Sequence, residues 1–288
     1  MGSFKRDKSK AYMMPITWGP STCFRDTNGD FKPMEPNVTE DLNVYIEVDP
    51  AQLDAVLPEQ MTSLNPVIQV QCRKLRHCGW LGGHSYHLIH VMTPVVYNGE
   101  KDKDIHANFV LSCAEDHGDP IVAGREFAAY PKPWSDIKEF SYSDGVWRSV
   151  VCGWEEPVMK LSIDLNKKPG EETIKELADI DALSRGQLMT WLYWPKVDNL
   201  EGGEPYVDCA VLMAPVDMGE DYPYDLMEAV REYGEGQVEF LDTTWFNMPM
   251  WYTMYHEMSK LKVKRVIGAY RNVYNDPCYY KGMWRELH

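Results

Sequence analysis

No stretch of this chain approaches the roughly 20 consecutive apolar residues that a helix needs to span a bilayer, so a helical membrane anchor is not expected. Positive charge is also scarce, with 29 Lys and Arg against 44 Asp and Glu and a formal net charge of −15. Neutralising a phosphate backbone requires a basic face, which argues against nucleic acid as a partner, and the same acidity argues against a membrane surface. The seven cysteines are odd in number and none has C-x-x-C spacing, which excludes a metal knuckle or a redox pair. Reduced core thiols are expected. Residues 1–8 lack the apolar core of a secretory signal, and a cytoplasmic location is the expectation.

Internal repeats and low-complexity linkers are absent as well, and strands do not alternate with helices that open on Gly-rich turns. What is present is 44% hydrophobic content with 12% aromatics in 288 residues, enough for one continuous core. Residues 1–36, rich in Pro, Gly and Asp, read as an N-terminal arm, and residues 37–288 as a single domain. Short alternating runs predict strands over 42–48, 67–75, 84–97, 105–114, 140–154, 157–165, 187–194, 206–215, 237–242 and 263–274. Helices are predicted over 49–58, where an acid and a proline open the run, over 170–184, where Ile174, Leu177, Ile180 and Leu183 form one stripe, and over 248–255. The class is mainly β (α+β): an antiparallel β-barrel or cone with a few flanking helices, its interior able to hold one small ligand.

The residue with the most distinctive surroundings is Lys132. Phe127, Ala128, Ala129, Tyr130 and Pro131 precede it, and Pro133 and Trp134 follow. A protonated amine is a poor nucleophile, so covalent chemistry requires its pKa to fall from the ordinary value of about 10.4 to about 7. That costs roughly 4 kcal/mol, which apolar burial can supply. The competing reading is a turn in which two prolines bracket an exposed lysine.

The run Ala123-Gly124-Arg125-Glu126-Phe127-Ala128-Ala129-Tyr130-Pro131-Lys132 resembles the signature of the acetoacetate decarboxylase family, whose Gly-Arg-Glu and Tyr-Pro-Lys precede a Schiff-base lysine. Residues 45–59, ending in Leu57-Pro58-Glu59, and the run Thr93-Pro94-Val95-Val96-Tyr97-Asn98-Gly99 are similar to further family segments. The likeness is clear over about 40–165 and weaker to about 275. It implies a β-barrel or cone with external helices, Lys132 facing the cavity and homo-oligomeric assembly, with no cofactor. Tyr130 is expected beside the substrate, and Arg125 and Glu126 are expected to support the lysine loop.

The chain departs from the family at three places. Pro133 stands where the family has a second lysine, leaving desolvation to activate Lys132. Gln71 and Leu88 stand where the family has two glutamates. The family arginine near the N-terminus corresponds either to Arg25, which could bind a substrate carboxylate, or to Thr39. Period-two alternation puts Gln69, Gln71 and Arg73 on one strand face, and Tyr86, Leu88 and His90 on one face of another. A lining of Gln71, Tyr86 and His90 is expected to be polar and nearly neutral, with His90 able to move protons near pH 7. His84, His87 and His90 do not share one face, and no metal is expected.

The partner implied is a small carbonyl compound. The leading expectation is a lyase that decarboxylates a β-keto acid through an iminium on Lys132. The alternatives are an aldolase, dehydratase or cyclase acting on a larger hydrophobic carbonyl compound, and a non-catalytic small-molecule-binding barrel.

Overall fold

The computed structural model describes residues 2–23, 36–197, 201–214, 229–276 and 284–288. The elements run β1 (Asn37–Val48), α1 (Pro50–Asp54), β2 (Met61–Ser63), β3 (Val67–Cys78), β4 (His84–Tyr97), β5 (Ile105–Glu115), α2 (Gly118–Phe127), β6 (Asp136–Ile137), β7 (Ser141–Ser143), β8 (Val146–Gly153) and β9 (Glu156–Asp164). They continue with α3 (Glu171–Leu183), β10 (Leu188–Trp194), β11 (Val207–Met213), β12 (Val230–Phe240), α4 (Tyr252–Ser259), β13 (Val263–Asp276) and β14 (Trp284–Glu286). Strands hold 47% of the described residues and helices 17%, which makes the fold mainly β as expected.

One sheet carries the order β14-β11-β10-β5-β4-β3-β1-β13-β12-β9-β8-β6, with β2 on β4 and β7 on β8. The pairings are antiparallel except β10 on β5, which is parallel. Among the described residues nothing pairs β14 with β6, so the sheet stays open and the barrel is a loose cone.

Alternation gives the central strands two different faces. Leu42, Val44, Ile46, Ile68, Val70, Ile89 and Val91 point one way and form the main core with Val151, Met159, Leu161 and Tyr255. The opposite face carries Asp41, Asn43, Gln69, Gln71, Arg73 and His90, brought side by side by the pairings Asn43↔Gln71, Gln71↔His90 and Asp41↔Arg73. Helix α3 covers a neighbouring part of the sheet. Its Leu177 and Ile180 are buried with Tyr45, Val67, Ile267 and Tyr270.

The helix boundaries follow local chemistry. Asp49 caps α1, its Oδ1 accepting from the N–H groups of Ala51 and Gln52 at 2.9 and 3.4 Å, and Pro50 opens the first turn. Gly170 and Ser184 are the two caps of α3, at the ends predicted for it. Helix α4 starts about one turn later than the aromatic and methionine run suggests. The expected strand over 140–154 is instead β7 and β8, separated by Asp144-Gly145, both with positive φ (51° and 79°), a turn that closes a tight hairpin.

Strand β1 begins at Asn37, five residues ahead of the apolar pattern, because its acids are buried as ion pairs. Asp41 receives Nε and Nη2 of Arg73 at 2.7 and 2.9 Å, and Glu40 is held by Arg76 at 2.5 Å and Arg271 at 2.6 Å. Removing one partner of a buried pair leaves the other uncompensated. Asp41→Ala is therefore expected to cost about 3 kcal/mol of unfolding free energy, read from urea denaturation.

Candidate active site

The lysine loop is built by the end of α2, a helix the apolar pattern does not predict. The N–H groups of Ala128 and Tyr130 both reach the carbonyl of Gly124 at 3.1 Å, and Ala129 between them has φ +55°. This is the helix stop usually made with glycine, and an alanine here holds a left-handed conformation at some cost in strain. The chain then turns back beside β5. Cys113 N–H donates to Pro131 O at 3.1 Å, Glu115 N–H to Pro133 O at 3.0 Å, and Ser135 N–H to Glu115 O at 2.9 Å. Both prolines are used as acceptors, so their lack of an N–H costs nothing in this pairing.

The reversal lays the Lys132 side chain along α2. A Cβ added at Gly124 would sit 2.3 Å from Lys132 Cε, so a glycine at that position is what leaves room for the chain. Nζ donates to Pro120 O at 3.1 Å, stands 5.3 Å from the centre of the Tyr130 ring, and meets Glu115 Oε1 at 2.7 Å. Lys132 is 9% exposed and Glu115 0%. The other carboxylate oxygen, Oε2, is buried without a hydrogen-bond partner among the described residues. Burial raises the Glu115 carboxyl to about 7 even though the Lys132 charge and hydrogen bond act to lower it. Cys113, two residues before Glu115 on β5, has Sγ 4.0 Å from Oε1, and burial pushes its thiol far above the ordinary value.

The buried acid corrects the expectation of a nearly neutral lining. The apolar pattern of β5 ends at Ala114, which leaves Glu115 reading as the first residue after the strand. Extending the alternation from Cys113 by two residues would have put its side chain on the lysine side. Asp41 was missed as a member of the polar row, although alternation had already placed its partner Arg73 there.

Gln71 and His90 do come together, with His90 Nδ1 3.2 Å from Gln71 Oε1. The His90 ring stacks on Tyr130 at 6.0 Å between centres and 21° between planes. Burial, then the Arg73 and Lys132 charges, hold the His90 imidazolium well below the usual histidine range, so His90, against expectation, does not titrate near pH 7. Tyr86 lies on the same face but further along β4, pairing with Leu75 and edge-on to Trp80 at 6.2 Å. His87 faces the other way, 2.8 Å from Asp116.

Arg125 Nη1 donates to the Lys132 carbonyl at 3.5 Å, and Glu126 Oε2 accepts from the Met14 N–H at 3.3 Å, tying the N-terminal region to the loop. Arg25 lies outside the described residues. A cavity of about 440 Å³ opens beside residues 125–129, between Met14, Trp194 and Trp284, and Lys132 is not among its lining residues. Among the described residues no three His, Cys, Asp or Glu side chains converge as metal ligands.

Fold and site together define an open, mainly β protein that buries a lysine against a carboxylate. A model of the family Acetoacetate decarboxylase (ADC) matches residues 13–199, and the chain belongs to that family. Its fold is similar to that of the acetoacetate decarboxylase of Legionella pneumophila, with a TM-score of 0.63 at 18% identity over 90% of this chain and 88% of that one. An acetoacetate decarboxylase-like enzyme from Sphingomonas wittichii gives 0.60 at 14% identity over 89% and 93%. The enduracididine biosynthesis enzyme MppR, complexed with the condensation product of pyruvate and imidazole 4-carboxaldehyde, gives 0.61 at 13% identity over 99% and 98%. None of the curated proteins matches the sequence.

Two outcomes are expected from this geometry. Lys132→Met leaves Glu115 without its cation. The carboxyl already sits above its unfolded value of about 4.3, and without Lys132 it rises further. Stability from a raised acid is full below the unfolded value and is lost as pH rises through the folded one. The variant is therefore expected to lose roughly 3–5 kcal/mol at pH 8 and to recover much of it at pH 5, measured by urea denaturation at both values. Gly124→Ala is expected to keep the fold, since alanine suits a helix, while displacing the lysine tail. Amine labelling of Lys132 followed by peptide mass mapping should then rise against wild type.

Proposed function

We propose that this protein is a Schiff-base-forming enzyme acting on a small carbonyl compound, with Lys132 as nucleophile and Glu115 as its proton carrier. The observation that carries this reading is the 2.7 Å contact between Nζ and a fully buried carboxylate whose second oxygen has no partner among the described residues. Burial raises the Glu115 carboxyl, and its oxygen at 2.7 Å is placed to take a proton from the Lys132 ammonium. Glu115 takes a proton from the ammonium, and the freed lone pair adds to the carbonyl carbon. The carbonyl oxygen, after receiving protons from Glu115 and from the adding nitrogen, leaves as water and the iminium remains.

For a β-keto acid, the iminium then accepts the electron pair of the breaking carbon–carbon bond as CO₂ departs. A second reading keeps the iminium without loss of CO₂, as in an aldolase, dehydratase or cyclase. It is favoured by Arg73, whose guanidinium is already engaged by Asp41 and so does not offer an open fork to a substrate carboxylate. The condensation product carried by MppR, of similar fold, agrees with it. The same reading includes an arm over 1–36 and one domain over 37–288, with Met14 of the arm in contact with Glu126, homo-oligomeric assembly and a cytoplasmic location.

The test is incubation with a panel of β-keto acids and simple ketones in the presence of cyanoborohydride, followed by intact-mass and peptide analysis. A reduced adduct on Lys132 is expected, and no adduct with any member of the panel would remove covalent catalysis from consideration. Glu115→Gln is expected to slow trapping about 100-fold or more. Release of CO₂ in step with turnover separates decarboxylation from the second reading.

A further inference from the structure

His90 is the member of the polar row that stacks on the Tyr130 ring beside Lys132. Its tautomer follows from a chain of hydrogen bonds that starts at a permanent charge. Arg73 cannot lose its proton, and it fixes the Asp41 carboxylate through both oxygens. Gln71 Nε2 donates to Asp41 Oδ2 at 3.3 Å and to Asn43 Oδ1 at 2.9 Å, and Gln69 Nε2 donates to the same Asn43 oxygen at 3.0 Å. A carboxylate only accepts, so the Gln71 amide cannot be turned over without facing oxygen to oxygen. Gln71 Oε1 therefore points to His90 Nδ1, 3.2 Å away, and Nδ1 must carry the hydrogen. Nε2 is left with a lone pair.

The His90 ring lies in the lysine's surroundings. The imidazole stacks on Tyr130, and Lys132 Nζ stands over the same ring. On the neighbouring strand His90 pairs with Cys113, two residues before Glu115. The site thus holds two groups with separate tasks. Glu115 touches the amine and serves the nitrogen, whereas His90 is held as a neutral acceptor that does not touch it.

We propose that His90 Nε2 is the base that removes a proton from the carbon next to the Lys132 iminium, so that the site takes carbonyl compounds bearing a hydrogen on that carbon and need not take a carboxylate. This rests on the Schiff-base reading and deepens it. In the step, the C–H bond breaks and its proton goes to Nε2. The C–H electrons form a carbon–carbon double bond, and the C=N π pair settles on the Lys132 nitrogen. A neutral enamine and an imidazolium result, with no oxidant or reductant. Return of the proton, or addition of the enamine to a second carbonyl, completes exchange or condensation. Arg73, Asp41 and Gln71 are positioning residues.

The test uses the full-length protein with butanone in deuterium oxide. Deuterium incorporation next to the carbonyl is followed by NMR, and Lys132 trapping with cyanoborohydride is measured in parallel. Wild type is expected to trap and to exchange. His90→Gln, and His90→Phe as a second variant that keeps a ring against Tyr130, are expected still to trap while exchange falls about 100-fold or more, with folding checked by thermal melts. Trapping with undiminished exchange in both folded variants would overturn the assignment of His90 and leave the Lys132 reading standing. Absence of trapping in wild type would overturn both. A variant in which the melt is lost is replaced by the other, which decides alone.

Discussion

The short contact between one amine and one carboxylate, both out of water, is the constraint around which the rest of the site is arranged. Each group alone would be too costly to bury as an ion, and together they still leave one carboxylate oxygen without a partner among the described residues. The backbone meets this demand locally. A helix that stops at Ala128, a left-handed Ala129 and two proline carbonyls hydrogen-bonded to β5 place Lys132 and Glu115 opposite each other. The glycine at 124 leaves the lysine tail a track along the helix.

The same principle organises the polar face of the central strands. Charges that would forbid burial singly are matched across neighbouring strands, Asp41 with Arg73 and Glu40 with Arg76 and Arg271. These pairs extend β1 into a segment whose acidic sequence reads as a poor strand. They also fix the orientation of Gln71, through which a charge on one strand determines which nitrogen of His90 carries hydrogen two strands away. The face is polar without being adaptable, which is what a site that holds a reacting group in place requires.

Much of the fold was legible because the central strands obey period-two alternation and α1 and α3 carry caps and stripes that depend only on nearby residues. The lysine was legible through its apolar neighbours and through the family signature. The parts that were not legible depend on partners distant in sequence. Glu115 follows the apolar run of β5, and only the lysine loop folding back 17 residues later gives it a role. Asp41 needs Arg73, and Tyr255 of α4 meets the Ser135 hydroxyl, 120 residues earlier in the chain. The open edge of the cone, among the described residues, is likewise a property of strand order that no single segment encodes.

Cys113 adds a consequence for chemoselectivity. A thiol beside an electrophile would ordinarily compete for it, since the thiolate is the better nucleophile. Here burial pushes that thiol far above its ordinary value, 4.0 Å from the carboxylate that meets the amine. In the proposed Schiff-base chemistry a carbonyl would therefore meet one competent attacker instead of two, and the lysine's product would not be diverted into a thiohemiacetal.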